Sequence, residues 1–276
     1  MTIEDYLARC SKGGSQFATA MRWVRRGDWK YLCAIFFILH SSFFISEAAA
    51  QIFPYPSIPD SIEEPQERIA FMLEHFWRDF DFEKTVTAEG RMTAEQGFVD
   101  FINLLQHTDS LTAERCCRLL ADSLTTPARE TLFSDFTERY LGNPYSPMRN
   151  DVSYAHLLRS LPETPERTYL LKEVTKNQVG MKVADIEGLY AIQSPLTLLV
   201  FYDPQCYRCQ ALIARIEEQK ERMTGVHLHY INTEEVPEAN EAFYLPSLPA
   251  LYLLDQEKRV LVKDGSLEEI EQRIAQ

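Results

Sequence analysis

The chain has 276 residues, enough for two modest domains, and its 45% hydrophobic and 25% charged content is that of an ordinary globular protein. A formal charge of −13 excludes a nucleic-acid or anionic-membrane surface as the natural partner, because both repel an acidic protein. The acidity is otherwise read as simple solubility.

The amino-terminal stretch has the pattern of a secretory leader. Arg22, Arg25, Arg26 and Lys30 precede an apolar run, 31–45, and Ala48 and Ala50 form an A-x-A site before Gln51. Cleavage is expected after Ala50, and Met21, directly before the basic region, is read as the true start. The run is broken by His40, Ser41 and Ser42 and falls short of the roughly 20 residues that span a bilayer, so a retained anchor is the weaker alternative. Cys33 lies inside the run and does not sit where a lipoprotein acceptor would. The expected destination is the periplasm, with membrane contact only through the transient leader. Removing residues 1–50 leaves a more acidic remainder and four cysteines, Cys116, Cys117, Cys206 and Cys209. Four are too few for a stapled scaffold and suit a redox pair.

Residues 51–65 hold four proline residues, and 51–61 read as an extended lead-in. Residues 62–176 then read as an all-α region. A helix over 67–80 carries the stripe Ile69, Phe71, Met72, Leu73, Phe76, Trp77 and Phe80. Thr93 precedes a second helix with Phe98, Phe101, Ile102 and Leu105. A third spans 112–124. Pro127 opens a fourth, 128–141, since proline suits a first helical turn. The turn-rich segment 142–150 leads to two more, 152–161 and 166–176. The aromatic cluster Phe71, Phe76, Trp77, Phe80 and Phe82 is read as helix core, and His75 and His107 as structural.

From 178 onward the pattern changes. A first strand or hairpin is expected over 186–192, then a buried strand 196–202, a helix 206–222, a strand 226–232, a short helix 237–243, strands 250–254 and 259–262, and a last helix 267–275. A parallel β-α-β unit followed by an antiparallel hairpin and a capping helix makes one mixed sheet flanked by helices. Cys206 and Cys209 form a C-x-x-C where the strand 196–202 gives way to a helix. There, backbone N–H groups and the helix dipole favour a thiolate at the first sulfur.

Residues 178–276 resemble a thioredoxin-fold domain. The resemblance rests on the strand-C-x-x-C-helix unit and on SLPALYLLD at 247–255. It implies that Pro249, preceded by Leu248, is a cis-proline facing the dithiol, and that a substrate chain lies against these two residues as an added strand. It makes Cys206 the attacking sulfur and Cys209 the resolving one. Arg208 either favours the Cys206 thiolate or points into solvent. Gln205, Tyr207 and Arg208 stand where thioredoxin has tryptophan and Gly-Pro, and Val200 stands where it has a buried aspartate. Asp203 is the nearest acidic substitute, or it caps the loop or helix. The words ERIAFMLEHFWRDFDF (67–82) and YLGNPYSPMRNDVSY (140–154) resemble domain of unknown function 5106, which precedes thioredoxin-like domains in exported proteins of the Bacteroides group.

These readings imply an exported thiol–disulfide oxidoreductase that needs no cofactor. Its partners would be exported proteins with disulfides and an unidentified electron donor or acceptor. The alternative is an envelope interaction module on a non-catalytic thioredoxin-like scaffold. C-x-x-C is also half a zinc site. His227 and His229, however, fall at the start of their strand while Cys206 follows the end of its parallel neighbour, about five residues of ~3.3 Å away, so no metal is expected. A purely structural C-x-x-C disulfide would close too small a loop to stabilise much. Cys116 and Cys117 are adjacent on a helix and point about 100° apart, which suits buried fillers better than a vicinal disulfide. No G-x-S-x-G, Walker or dinucleotide motif is present.

Overall fold

Six helices, each opened by a capping side chain or a proline, make the first half of the computed structural model, which describes residues 52–275. The expected leader, its cleavage site and Met21 lie outside the described residues. Helix α1 spans Pro65–His75. The sequence pattern carries it to Phe80, but it stops five residues sooner. Phe76, Arg78 and Phe80 donate their N–H groups to carbonyls three residues back (Leu73, His75 and Trp77), so tight turns replace the helix. Phe76, Trp77 and Phe80 stay buried throughout, and three residues per turn keeps Trp77 and Phe80 on one face. A short 3₁₀ helix, Phe82–Val86, follows.

Helix α2, Ala88–Leu105, starts ahead of the expected position. Its cap is Thr87, whose Oγ1 accepts from Gly90 N at 3.0 Å, whereas Thr93 is interior and donates to the Glu89 carbonyl. Asp109 caps α3, Ser110–Ser123, accepting from the Leu111 and Thr112 amides at 3.0 Å each. Pro127 occupies the first turn of α4, Pro127–Thr137, which runs on as a π-type turn, Glu138–Gly142. Asn150 and Thr164 cap α5, Asp151–Ser160, and α6, Pro165–Val174. Phe98, Phe101, Phe133, Phe136 and Tyr154 fill the centre of this bundle. The lead-in is extended, yet Phe53 is only 4% exposed, its ring seated among Phe76, Trp77 and Phe80 over Gly97.

The second half holds β1, Leu196–Tyr202; α7, Tyr207–Gln219; β2, Val226–Asn232; α8, Glu238–Ala242; β3, Ala250–Asp255; β4, Val260–Lys263; and α9, Leu267–Ile274. The sheet order is β2-β1-β3-β4, with β1 parallel to β2 and the other two pairs antiparallel. The expected fold class is thus met: helices first, then a mixed sheet flanked by helices. Alternate residues of β1 enter two cores, Leu199 and Phe201 on one face and Leu198 and Val200 on the other, which is why the strand reads as an unbroken apolar run. The strand expected over 186–192 is not formed. Glu187 and Gly188 have φ of 47° and 72°, incompatible with an extended chain, and a 3₁₀ turn, Leu189–Ala191, follows. Ile186 and Leu189 are nonetheless buried, so the apolar pattern marks packing rather than pairing.

The described residues from Phe53 onward fall in one compact unit. A charged cluster ties its two halves together. Arg149, just before α5, bonds Asp264 at the end of β4 at 2.5 Å and Asp151 at 3.2 Å. Lys263 reaches Asp151 at 2.8 Å and the Val174 carbonyl at 2.6 Å. Both cations lie against the Tyr244 ring. Burial pushes the Asp264 carboxyl up to about 6.

Candidate functional site

The dithiol sits on a turn that its own residues build. β1 ends at Tyr202, and the Asp203 carboxylate accepts from Gln205 N at 2.6 Å while its carbonyl accepts from Cys206 N at 3.1 Å. Asp203 therefore shapes the loop, one of the two roles open to it from sequence. Gln210 Nε2 donates to the Pro204 carbonyl at 2.7 Å and closes the turn from the helix side. Cys206 is the N-cap of α7, with extended backbone angles, and its Sγ accepts from Cys209 N at 3.2 Å. A cysteine sulfur thus does what a serine or aspartate oxygen does at other helix starts: it meets one of the amides the first turn leaves unpaired.

The two sulfurs are placed in different surroundings. Both are free thiols; Cys206 is half-buried and Cys209 fully buried. Hydrogen bonding from Cys209 holds the Cys206 thiol below its usual range, helped by the helix-start amides and by the positive charge of Arg208. Burial pushes Cys209 up to about 11. One thiol is therefore ready to ionise and its neighbour resists ionising. Val200, six residues before Cys206, is fully buried among Leu198, Ile216 and Leu251, so no carboxylate lies at that position beneath the dithiol.

Leu248 and Pro249 come to the same place from the segment before β3. The Leu248–Pro249 peptide bond is cis, and the Leu248 carbonyl oxygen lies 3.9 Å from Cys206 Sγ. Arg208 is exposed, but its side chain is engaged and does not act on Cys206 alone. Its Nη2 donates to the Leu248 carbonyl at 3.1 Å and to the Tyr145 hydroxyl at 2.8 Å. Tyr207, between Cys206 and Arg208, is 82% exposed. The structure thus brings Cys206, Cys209, Arg208, Leu248 and Pro249 together, with Asp203 shaping the turn and Tyr207 on the rim. Tyr145 was missed from sequence. It stands in the turn-rich segment 142–150, and no spacing rule links that segment to residue 208.

The other candidates lie elsewhere. His227 pairs in register with Thr197, at the far end of β1 from Cys206, and His229 with Leu199 at its middle, where it faces Glu187 at 3.9 Å. Among the described residues no cluster of three metal-ligating side chains occurs. Cys116 and Cys117 are free and fully buried in α3, and burial pushes Cys116 up to about 11 and Cys117 higher still. His75 is set against the Phe71 carbonyl at 2.9 Å and stacks on that ring, while Phe71 itself is only half-buried. Among the described residues no helix is long and apolar enough to cross a membrane.

Two family models match the chain: domain of unknown function 5106 over residues 40–185 and thioredoxin over 181–276. No curated protein matches it. A thioredoxin-like protein from Bacteroides caccae has a similar structure, with TM-score 0.65 and 23% identity over 81% of this chain and 98% of that one. A C-terminal domain of an uncharacterized Bacteroides fragilis protein aligns at TM-score 0.28 and 24% identity, covering 37% of this chain and 100% of the other. A domain of a possible thiol-disulfide isomerase from Cytophaga hutchinsonii aligns at 0.30 and 18%, covering 37% and 93%.

Proposed function

Since this chain belongs to the family of domain of unknown function 5106 and carries a thioredoxin domain behind it, we propose that it is an exported thiol–disulfide oxidoreductase acting on protein disulfides. The observation that supports this most is the pairing of a half-buried Cys206, held towards the thiolate at a helix start, with a buried Cys209 that resists ionising.

In this mechanism the Cys206 thiolate attacks one sulfur of a substrate disulfide. The S–S bond breaks, one substrate sulfur leaves as a thiolate, and Cys206 is joined to the other. Cys209 then gives up its proton and attacks Cys206 Sγ. The second substrate sulfur leaves, and a Cys206–Cys209 disulfide forms. Two electrons pass from the dithiol to the substrate, whose two sulfurs end as thiols. A partner dithiol of suitable potential restores the reduced state; run backwards, the same steps oxidise a substrate dithiol. Stabilising the Cys206 thiolate stabilises the reduced form and makes the couple more oxidising, by about 30 mV per 1.4 kcal/mol. Leu248 and Pro249 offer backbone beside the reacting sulfur against which a substrate strand can lie.

The expected location is the periplasm, reached through a leader cleaved after Ala50, and the acidic surface suits neither nucleic acid nor anionic membrane. The test is Cys209→Ser in the exported protein. Mixed disulfides that collapse on adding thiol should accumulate through Cys206 and vanish in Cys206→Ala/Cys209→Ser. Absence of such adducts, with a Cys206 that alkylates no faster than an ordinary thiol, would instead support the docking-scaffold reading. Mass analysis of the exported chain should find Gln51 at its amino terminus.

A further inference from the structure

Arg208 is held by partners that its own helix does not supply. Its Nη2 donates at once to the Leu248 carbonyl and to the Tyr145 hydroxyl, and its guanidinium carbon lies 4.8 Å from the Tyr145 ring centroid. Tyr145 belongs to the helical half. Its own turn is well determined: Asn143 Oδ1 accepts from Tyr145 N at 3.0 Å, and Ser146 Oγ donates to the Tyr140 carbonyl at 2.7 Å. Four residues on, Arg149 anchors the same segment to Asp264. The segment is thus tied to the sheet-bearing half at two points, one of them beside the dithiol.

The Leu248 carbonyl is the electrostatic link. Its oxygen, the negative end of a dipole, lies 3.9 Å from Cys206 Sγ and would oppose a thiolate there. The Arg208 hydrogen bond draws that charge away and sets a fixed cation near the sulfur. A solvent-facing arginine on its own loses considerable rotamer freedom in holding one such bond. A second acceptor and an aromatic face at Tyr145 lower that cost.

We propose that Tyr145 is a positioning residue for the dithiol: it holds Arg208 on the Leu248 carbonyl beside Cys206, so that the helical half sets the reactivity of a sulfur it does not touch. This rests on the reading of Cys206 as the nucleophile. The groups that act on Cys206 are Cys209 and Arg208, Asp203 acts on Cys209, and Tyr145 reaches the pair only through Arg208.

The test is the pH profile of Cys206 alkylation by iodoacetamide in the full chain, as wild type, Tyr145→Phe, Tyr145→Ala, Arg208→Ala and Tyr145→Ala/Arg208→Ala. Tyr145→Ala should raise the midpoint and slow alkylation below it by about threefold, the scale of one exposed charge-assisted contact. Tyr145→Phe, which keeps the ring, should shift it less. In the Arg208→Ala background, Tyr145→Ala should change nothing. A wild-type profile in Tyr145→Ala, or an equal shift in both backgrounds, overturns the proposal. Tyr145 is 64% exposed, so its loss should leave the fold intact, and circular dichroism checks this. Disulfide exchange of the wild type with oxidised glutathione is measured alongside. If exchange is absent but the profile still shifts, the oxidoreductase reading fails and the coupling stands. If exchange occurs without any shift, only the coupling fails.

Discussion

The seat of Phe53 makes a prediction whose sign reverses with background. An ideal Cβ built on Gly97, inside α2, would lie 2.2 Å from Phe53 Cε2, 2.4 Å from Cδ2 and 2.9 Å from Cζ. No real methyl tolerates such contacts, so Gly97→Ala must displace the ring and should cost about 1–3 kcal/mol, the usual range for overpacking. Phe53→Ala alone should cost about 3 kcal/mol, the low end for a buried phenylalanine, because the lead-in that carries it is extended and can leave with it. In the Phe53→Ala background the three nearest obstructing atoms are gone. There Gly97→Ala should stabilise by about 0.5–1 kcal/mol, the gain of alanine over glycine in a helix interior. The coupling between the two sites is therefore about 1.5–4 kcal/mol. Urea titration of the four proteins, followed by far-ultraviolet circular dichroism, measures it, and Cys206 alkylation should be the same in all four. A Gly97→Ala penalty of equal size with and without the Phe53 ring would refute the reasoning.

Three further outcomes follow from burial and charge. Cys206, held below its usual range, should alkylate at lower pH than an ordinary thiol, its rate rising with pH as the thiolate forms, while Cys209 and Cys116, each pushed to about 11, stay silent; equal reactivity of the three would contradict the site description. Asp264, raised from 3.8 to about 6 by burial, takes up a proton on folding, so its contribution favours the folded state most below the unfolded pKa and is lost as pH rises through about 6. At about 1.36 kcal/mol per unit this spans about 3 kcal/mol; urea midpoints from about pH 4 to 7 should slope less in Asp264→Asn, and parallel curves would sink the assignment. Lys258, almost wholly buried, donates Nζ to the Ile192 carbonyl at 3.0 Å and to Thr197 Oγ1 at 3.3 Å, and burial lowers its pKa. Lys258→Met keeps the stem but leaves two acceptors unpaired and should cost about 1–3 kcal/mol in the same titration; an unchanged midpoint would show that neither bond contributes.

Periodicity and local chemistry determined much of this protein before any coordinates. The six helical patterns, the strands 196–202, 226–232 and 250–254, and the strand-C-x-x-C-helix unit all follow from side-chain spacing, capping residues and proline, which act within a few residues. Where such reading went astray, the cause was a competing local event. Thr87 offered an earlier cap than Thr93, tight turns took over where α1 stops at His75, and the left-handed pair Glu187 and Gly188 cut short an apolar run that looked like a strand. Position at the helix start already singled out Cys206 as the attacking sulfur; tertiary structure alone set how deeply each sulfur sits, Cys206 half-buried beside the Leu248 carbonyl and Cys209 fully buried. It also decided that the exposed Arg208 is engaged, by the Leu248 carbonyl and by Tyr145, 63 positions away in sequence. Desolvation, charge and the meeting of the helical and sheet-bearing halves depend on groups far apart in the chain, and no pattern of neighbouring residues carries that information.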